Sequence, residues 1–233
     1  SKVLVDSDKI PYAHQAIVRD ETEKYLLDLT VQKQQQFKKF ESQIVKDLLN
    51  SNDIFANAFD LVNHIADFLN TDDCVFYGLI NGELVQLATT NNKLDAHHII
   101  KNKLAIPLDK GVVGRVARNK KGEIINDTSK DKDYIIDDAS RLSEITVPIL
   151  LDNEIVGVID SEHPQKNYYT KDKLDALSKI SILISLHLKN SVSKLEKSLK
   201  EIELEATKNR LEIIFESYSD AKIIESKARQ IEF

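Results

Sequence analysis

The stretch on which the fold turns is Glu144-Ile145-Thr146-Val147-Pro148-Ile149-Leu150-Leu151, then Asp152-Asn153, then Glu154-Ile155-Val156-Gly157-Val158-Ile159-Asp160. Two runs rich in β-branched residues flank a pair suited to a tight turn, which is the pattern of a β-hairpin. Pro148 has no N–H to give to a ladder, so it requires an edge, a bulge or an unpaired N–H direction. A second hairpin precedes it: Cys74–Ile80, the turn Asn81-Gly82, then Glu83–Ala88. Between the two, Leu104–Pro107 and Glu123–Asn126 read as short strands around a helix near Val112–Asn119. Together these predict an α+β domain, an antiparallel sheet with helices on one face.

Outward from this core the punctuation disappears. All six glycines lie between Gly78 and Gly157, and the four prolines are Pro11, Pro107, Pro148 and Pro164. Residues 12–77 and 165–233 therefore hold neither breaker and read as chiefly helical. In the helix expected over Asp53–Leu69, Phe55, Phe59, Val62, Ala66 and Leu69 form an apolar stripe, expected to share a core with Ile180 and Ile184. Thr170 is placed to cap a second helix, whose Leu174, Leu177, Ile180 and Ile184 should pack on the sheet. Beyond them Leu188, Val192, Leu195, Leu199, Ile202 and Ala206 recur at steps of four and three, with Asn209 next on the seam. This narrow a/d seam asks for a partner helix. Leu26, Leu29, Phe37, Phe40 and Ile44 offer a comparable stripe on the N-terminal arm.

The chain has 233 residues and a formal charge of −6, carried entirely by residues 50–188, since both arms are neutral. A pI near 5.6 argues against a nucleic-acid scaffold. No apolar run approaches the roughly 20 residues of a membrane span, and no signal peptide opens the chain. One cysteine excludes a disulfide framework and favours a reducing compartment, hence a cytoplasmic protein. The absence of methionine leads us to expect a fragment of a longer protein.

Gly111–Ala117, Ile124–Asp127, Asp131–Tyr134, Arg141–Ile149 and Gly157–His163 together resemble a GAF domain, the small-molecule sensing module of signalling proteins. The last two segments are most similar to GAF domains of bacterial sensor histidine kinases. The resemblance implies a PAS-like antiparallel sheet with a pocket between the sheet and its connecting helices and loops. It does not imply a ligand, because unrelated molecules bind this scaffold. Val18–Glu23 resembles the exit of a PAS domain, and Ser226–Phe233 the helix entering a histidine kinase catalytic region.

Residue chemistry narrows the function. Gly111-Val112-Val113-Gly114 fits neither phosphate-loop nor dinucleotide spacing and reads instead as a helix start with a close backbone approach. The six histidines, His97-His98 among them, lack metal-ligand spacing. Cys74 cannot alone run the cysteine relay of GAF-type methionine sulfoxide reductases, and reads as a buried apolar residue. Asn119-Lys120, Tyr134 and Asp137-Asp138 follow the order of a cyclic-nucleotide signature, with altered residues and spacing. The candidate ligand-binding residues are Asn126, Tyr134, Arg141, Glu144, Thr146, Ser161 and His163, with Asp127, Ser143 and Glu162 on the same rim. Strand alternation separates Ser143, Ile145 and Val147 from Glu144 and Thr146, so at most one set faces a pocket.

The expected plan is the tail of a preceding PAS-like domain over 1–20, an N-terminal signalling helix over 21–49, a GAF domain over 50–188 and a C-terminal coiled-coil helix over 189–233. The function expected is that of a regulatory region, not an enzyme, in a cytoplasmic two-component sensor histidine kinase. It would bind a small molecule or relay a signal through a parallel homodimer, seamed by Leu188, Val192, Leu195, Leu199 and Ile202, to a downstream kinase region. The alternative is a ligand-free GAF dimerisation spacer. No cofactor is specified, and neither nucleic acid nor a membrane span is expected.

Overall fold

Each hairpin turn places two successive residues at positive φ, Asn81 and Gly82 at 52° and 85°, Asp152 and Asn153 at 49° and 66°. That is the type I′ geometry whose twist matches paired strands, and Asn, Asp and Gly tolerate it best. The computed structural model describes residues 2–15, 21–49, 57–90, 93–95, 97, 99–101, 103–136 and 139–231, and the backbone alone at 2, 12–15 and 215–231. Phe55, His98, Asp137, Asp138 and the Val18–Asp20 part of the PAS-like tail lie outside these residues.

The chain divides into two compact units, Ser1–Gln43 and Ile44–Phe233. In the first, β1 (Lys2–Val5) and β2 (Pro11–Gln15) form an antiparallel pair. It also holds most of α1 (Thr22–Leu49), with Leu26 exposed and the rings of Phe37 and Phe40 in tilted contact at 6.3 Å.

The second unit holds α2 (Ala58–Leu69), β3 (Val75–Ile80), β4 (Glu83–Thr89), β5 (Ala105–Pro107), α3 (Gly111–Asn119), β6 (Glu123–Ile125), β7 (Ser143–Leu151), β8 (Glu154–His163) and α4 (Lys171–Ile231). Its six strands form one antiparallel sheet in the order β5-β4-β3-β8-β7-β6. Among the described residues β6 pairs only with Glu144–Thr146, so Pro148 lies where the outer side of β7 carries no ladder and its missing N–H leaves no gap. A register shift follows at Ile149/Leu150.

The helices occupy both faces of the sheet, which corrects the expectation of a single face. α2 packs on β3 and β4 and α4 on β7, whereas α3 packs on β5, β7 and β8. Strand alternation makes this possible, since both faces of β7 and β8 are buried. On the α3 face, Val75, Tyr77, Leu84, Ile106 and Val158 pack with Val113 and Ala117. On the other face, Val147 and Leu174 close around Gly122. Leu177, Ile180 and Ile184 of α4 are fully buried.

The core face of α2 is Ala58, Leu61, Val62, Ile65, Ala66 and Leu69. Val62, Ala66 and Leu69 of the expected stripe are buried there, whereas Phe59 is only half-buried, and Leu61 and Ile65 widen the core face. α4 begins where Thr170 Oγ1 accepts the Lys173 N–H at 3.4 Å. It runs for 61 residues, about 90 Å. Over residues 192–214 its apolar residues stand in solvent: Val192, Leu195, Leu199 and Ile202 are all exposed. No helix among the described residues is long and apolar enough to cross a membrane.

Candidate functional site

α3 starts at Gly111, whose φ of 71° turns the chain into the helix. A Cβ on Gly114 would stand 2.7 Å from the Leu108 carbonyl oxygen, so the glycine is required where helix and strand exit meet. The pair builds a close backbone approach, and places Val112 and Val113 over the sheet. Between them and the strands lies a cavity of about 20 Å³, lined by Tyr77, Leu104, Ile106, Gly111, Val112, Val113, Ile135, Glu144, Asp160 and Glu162. One end is apolar, from β5, α3 and the segment carrying Ile135. The other end is acidic, from β7 and β8.

The acidic end follows from register. Thr146 pairs with Asp160 and Glu144 with Glu162 across β7 and β8, so all four side chains point to the same face. Carboxylate oxygens of Glu144, Asp160 and Glu162 lie within 4.8 Å of one another. Thr146 Oγ1 donates to Asp160 Oδ1 at 2.6 Å and stands 3.2 Å from Glu144 Oε1. One hydroxyl proton cannot serve two carboxylates. Burial, together with the charges of Asp160 and Glu162, raises the Glu144 pKa well above the ordinary carboxyl range, which favours its protonated form. Its Oε2 has no hydrogen-bond partner among the described residues, although the residue is only 3% exposed.

The cationic neighbours stand to one side. Arg141 Nη1 lies 3.6 Å from Glu162 and 3.2 Å from Asp73, and Lys93 Nζ lies 2.8 Å from Asp73. Among the described residues, the buried carboxyl groups of Asp73, Glu144, Asp160 and Glu162 thus stand with two buried cations, Lys93 and Arg141. Tyr134 OH accepts the Arg141 backbone N–H at 3.0 Å; burial and the charge of Glu162 push its phenol pKa up. Gln86 ties Tyr77 OH to the Leu104 N–H, at 3.2 and 3.0 Å.

Of the residues singled out in the sequence, the structure therefore brings together Glu144, Thr146, Tyr134 and Arg141. It places Ser161 and His163 on the opposite face of β8, by the same alternation. Ser161 Oγ donates to the Asp73 carbonyl and contacts Tyr169 OH at 2.9 Å. His163 stacks on Tyr168 with ring centroids 3.3 Å apart, and burial with the nearby Lys173 lowers its pKa. Asn126 is exposed, and its carbonyl accepts the Asn167 N–H. Asp160 was missed, and Glu162 was seen only as a rim residue. The signal that finds them is the alternation of β8 once its register with β7 is known.

Cys74 is fully buried just before β3, and burial beside Asp73 and Asp160 raises its thiol pKa, which disfavours the thiolate. A larger groove of about 480 Å³ lies between α4 and the outer edge of β7, lined by Pro148, Leu150, Ile182 and Leu186 with lysines at its rim. The candidate site is placed at the smaller cavity, because the buried Glu144, Asp160 and Glu162 converge on it.

The GAF domain family matches residues 54–189 of this chain. Protein YtsP of Bacillus subtilis is 33% identical over 121 residues, which cover 52% of this chain and 68% of that protein. Among solved structures, the free methionine-R-sulfoxide reductase of Neisseria meningitidis in complex with its substrate has a TM-score of 0.61 at 18% identity, covering 68% of this chain and 91% of that one. The GAF domain of an Acinetobacter phosphoenolpyruvate-protein phosphotransferase has a TM-score of 0.59 at 18% identity, covering 70% and 95%. The reductase of Staphylococcus aureus reaches 0.56 at 24% identity, covering 65% and 94%. At these identities the solved structures speak for the fold alone.

Proposed function

The chain belongs to the GAF domain family, and from that premise we propose that it is the regulatory sensor region of a cytoplasmic two-component sensor histidine kinase. Residues 50–188 sense, 1–20 close a preceding PAS-like domain, and the helices of 21–49 and 189–233 carry the signal in a parallel homodimer to a downstream kinase region. The observation that carries the reading is the double use of β7. Glu144 lines the cavity, with Thr146 on the same face of β7, and the opposite face of the strand packs on α4. A ligand that shifts β7 therefore acts directly on the helix that leaves the domain. It transmits only if it binds more tightly to one arrangement of α4 than to the other.

The ligand that fits is a small molecule with a positively charged group and a short apolar body. Its charge would answer the excess of buried carboxylates, and its body the walls of Ile106, Val113 and Ile135. Reductase chemistry like that named for the structural neighbours is not the reading adopted, because the single cysteine is buried and held as a thiol. The second reading, a ligand-free dimerisation spacer, is favoured by the small size of the closed cavity, about 20 Å³.

Unfolding temperature measured with n-butylammonium, n-butanol and sodium butyrate tests the reading, since the three probes share one apolar body and differ in charge. We expect stabilisation by the ammonium, lost in Glu144→Ala and kept in Glu154→Gln on the surface. Stabilisation by none of the probes would favour the spacer.

A further inference from the structure

The cavity has room for roughly one water, so any organic ligand must move part of its wall. The floor cannot yield piecemeal, because β3, β8 and β7 are joined by ladders, unbroken from Ser143 to Ile149 on β7, and shift only together. Nor can α3, which buries Val112, Val113, Val116 and Ala117 and meets the β5 exit at Gly114. Leu104 is tied to Gln86 through both its N–H and its carbonyl. What remains is Asp131–Ile136, which belongs to no strand or helix and leaves Ile135 and Ile136 37% and 58% exposed.

A single side chain of α3 holds this segment from outside. The Arg115 guanidinium donates to Asp131 Oδ1 and Oδ2 at 3.1 and 2.6 Å and to Asp133 Oδ2 at 2.7 Å. It also grips Glu123 of β6 at 3.0 and 3.3 Å. Asp131 in turn accepts the Asp133 N–H through its carboxylate and the Tyr134 N–H through its carbonyl. The next side chain, Ile135, forms the cavity wall.

We propose that Arg115 is the latch of this wall, holding Asp131–Ile136 closed over the cavity, and that a ligand enters when Asp131 and Asp133 let go. Glu123 is what makes the latch reversible. In the open arrangement the guanidinium keeps its Glu123 partner, so opening never strands the cation, and the freed carboxylates pass into water. A clamp with all partners on the moving segment would lose every charge-assisted bond at once. The inference rests on the reading of the cavity as a ligand pocket.

Amide hydrogen exchange on the ligand-free chain tests it. In Arg115→Gln, exchange at Asp133 and Tyr134, whose N–H groups Asp131 accepts, should rise at least about tenfold, the scale of losing charge-assisted bonds worth roughly 1.4 kcal/mol, while β3, β7 and β8 keep their protection. Asp133→Asn, which removes one exposed arm, should give about a threefold rise, and it carries the test if Arg115→Gln does not fold. An unchanged rate, or a rise spread evenly through the sheet, would overturn the latch and leave Arg115 a structural clamp. Because no ligand is used, the latch and the ligand reading can fail separately.

Discussion

Replacing Glu144 by Gln should make the protein more stable at neutral pH, although it alters a fully buried polar residue. The carboxyl is 3% exposed, shares one Thr146 hydroxyl with Asp160, and has an Oε2 with no hydrogen-bond partner. Burial first, then Asp160 and Glu162, raise its pKa in the folded state well above the ordinary 4.5. Between the unfolded and folded values the native state holds a proton that the unfolded chain has released. Stability from this group is therefore full below the ordinary carboxyl range and is lost as pH rises toward the folded value. One such proton gives a slope of about 1.4 kcal/mol per pH unit, so two units cost about 3 kcal/mol. Gln reproduces the neutral carboxyl in shape and removes the slope. Urea unfolding of both proteins at pH 5, 6 and 7 measures it. The wild type should lose stability relative to Glu144→Gln by at least about 1.4 kcal/mol across that range. Parallel curves would mean that the fold does not hold a proton on Glu144, and would overturn this account of its burial.

Three further outcomes are expected. Ile180→Ala, at a fully buried position on α4, should cost about 2–5 kcal/mol in chemical unfolding, and Phe59→Ala, which is half-buried, clearly less. Gly114→Ala should lower the unfolding temperature by an amount corresponding to about 1–3 kcal/mol, because the new methyl meets backbone oxygens that cannot rotate away. In light scattering the whole chain should be dimeric at tens of micromolar, and Leu195→Asp combined with Leu199→Asp should make it monomeric with the far-UV signal retained.

Both hairpins, the bracketing helices and α3 could be read directly from residues, because each rests on local chemistry. Asn81-Gly82 and Asp152-Asn153 readily accept the positive φ of a tight turn, and the long runs of α1 and α4 hold no glycine or proline to break them. Thr170 caps α4 through an atom three residues away. The candidate site was legible only in part. Alternation alone divided Ser143 and Ile145 from Glu144 and Thr146, but not which set meets the cavity, because both faces of β7 are buried and neither is marked by polarity. That choice needed α3 and α4 placed on opposite faces, which is a matter of packing across the whole sheet. The same packing turned Ser161 and His163 away and brought Asp160 and Glu162 in, through a register between β7 and β8 that shifts every side chain together. On α2 it favoured Leu61 and Ile65 over Phe59, since the space beneath the helix suits aliphatic chains there. The sequence by itself determined the elements, whose causes lie within a few residues of one another. Only the tertiary structure decided the site, because carboxyl groups and cations drawn from distant segments come together there at energies that depend on burial.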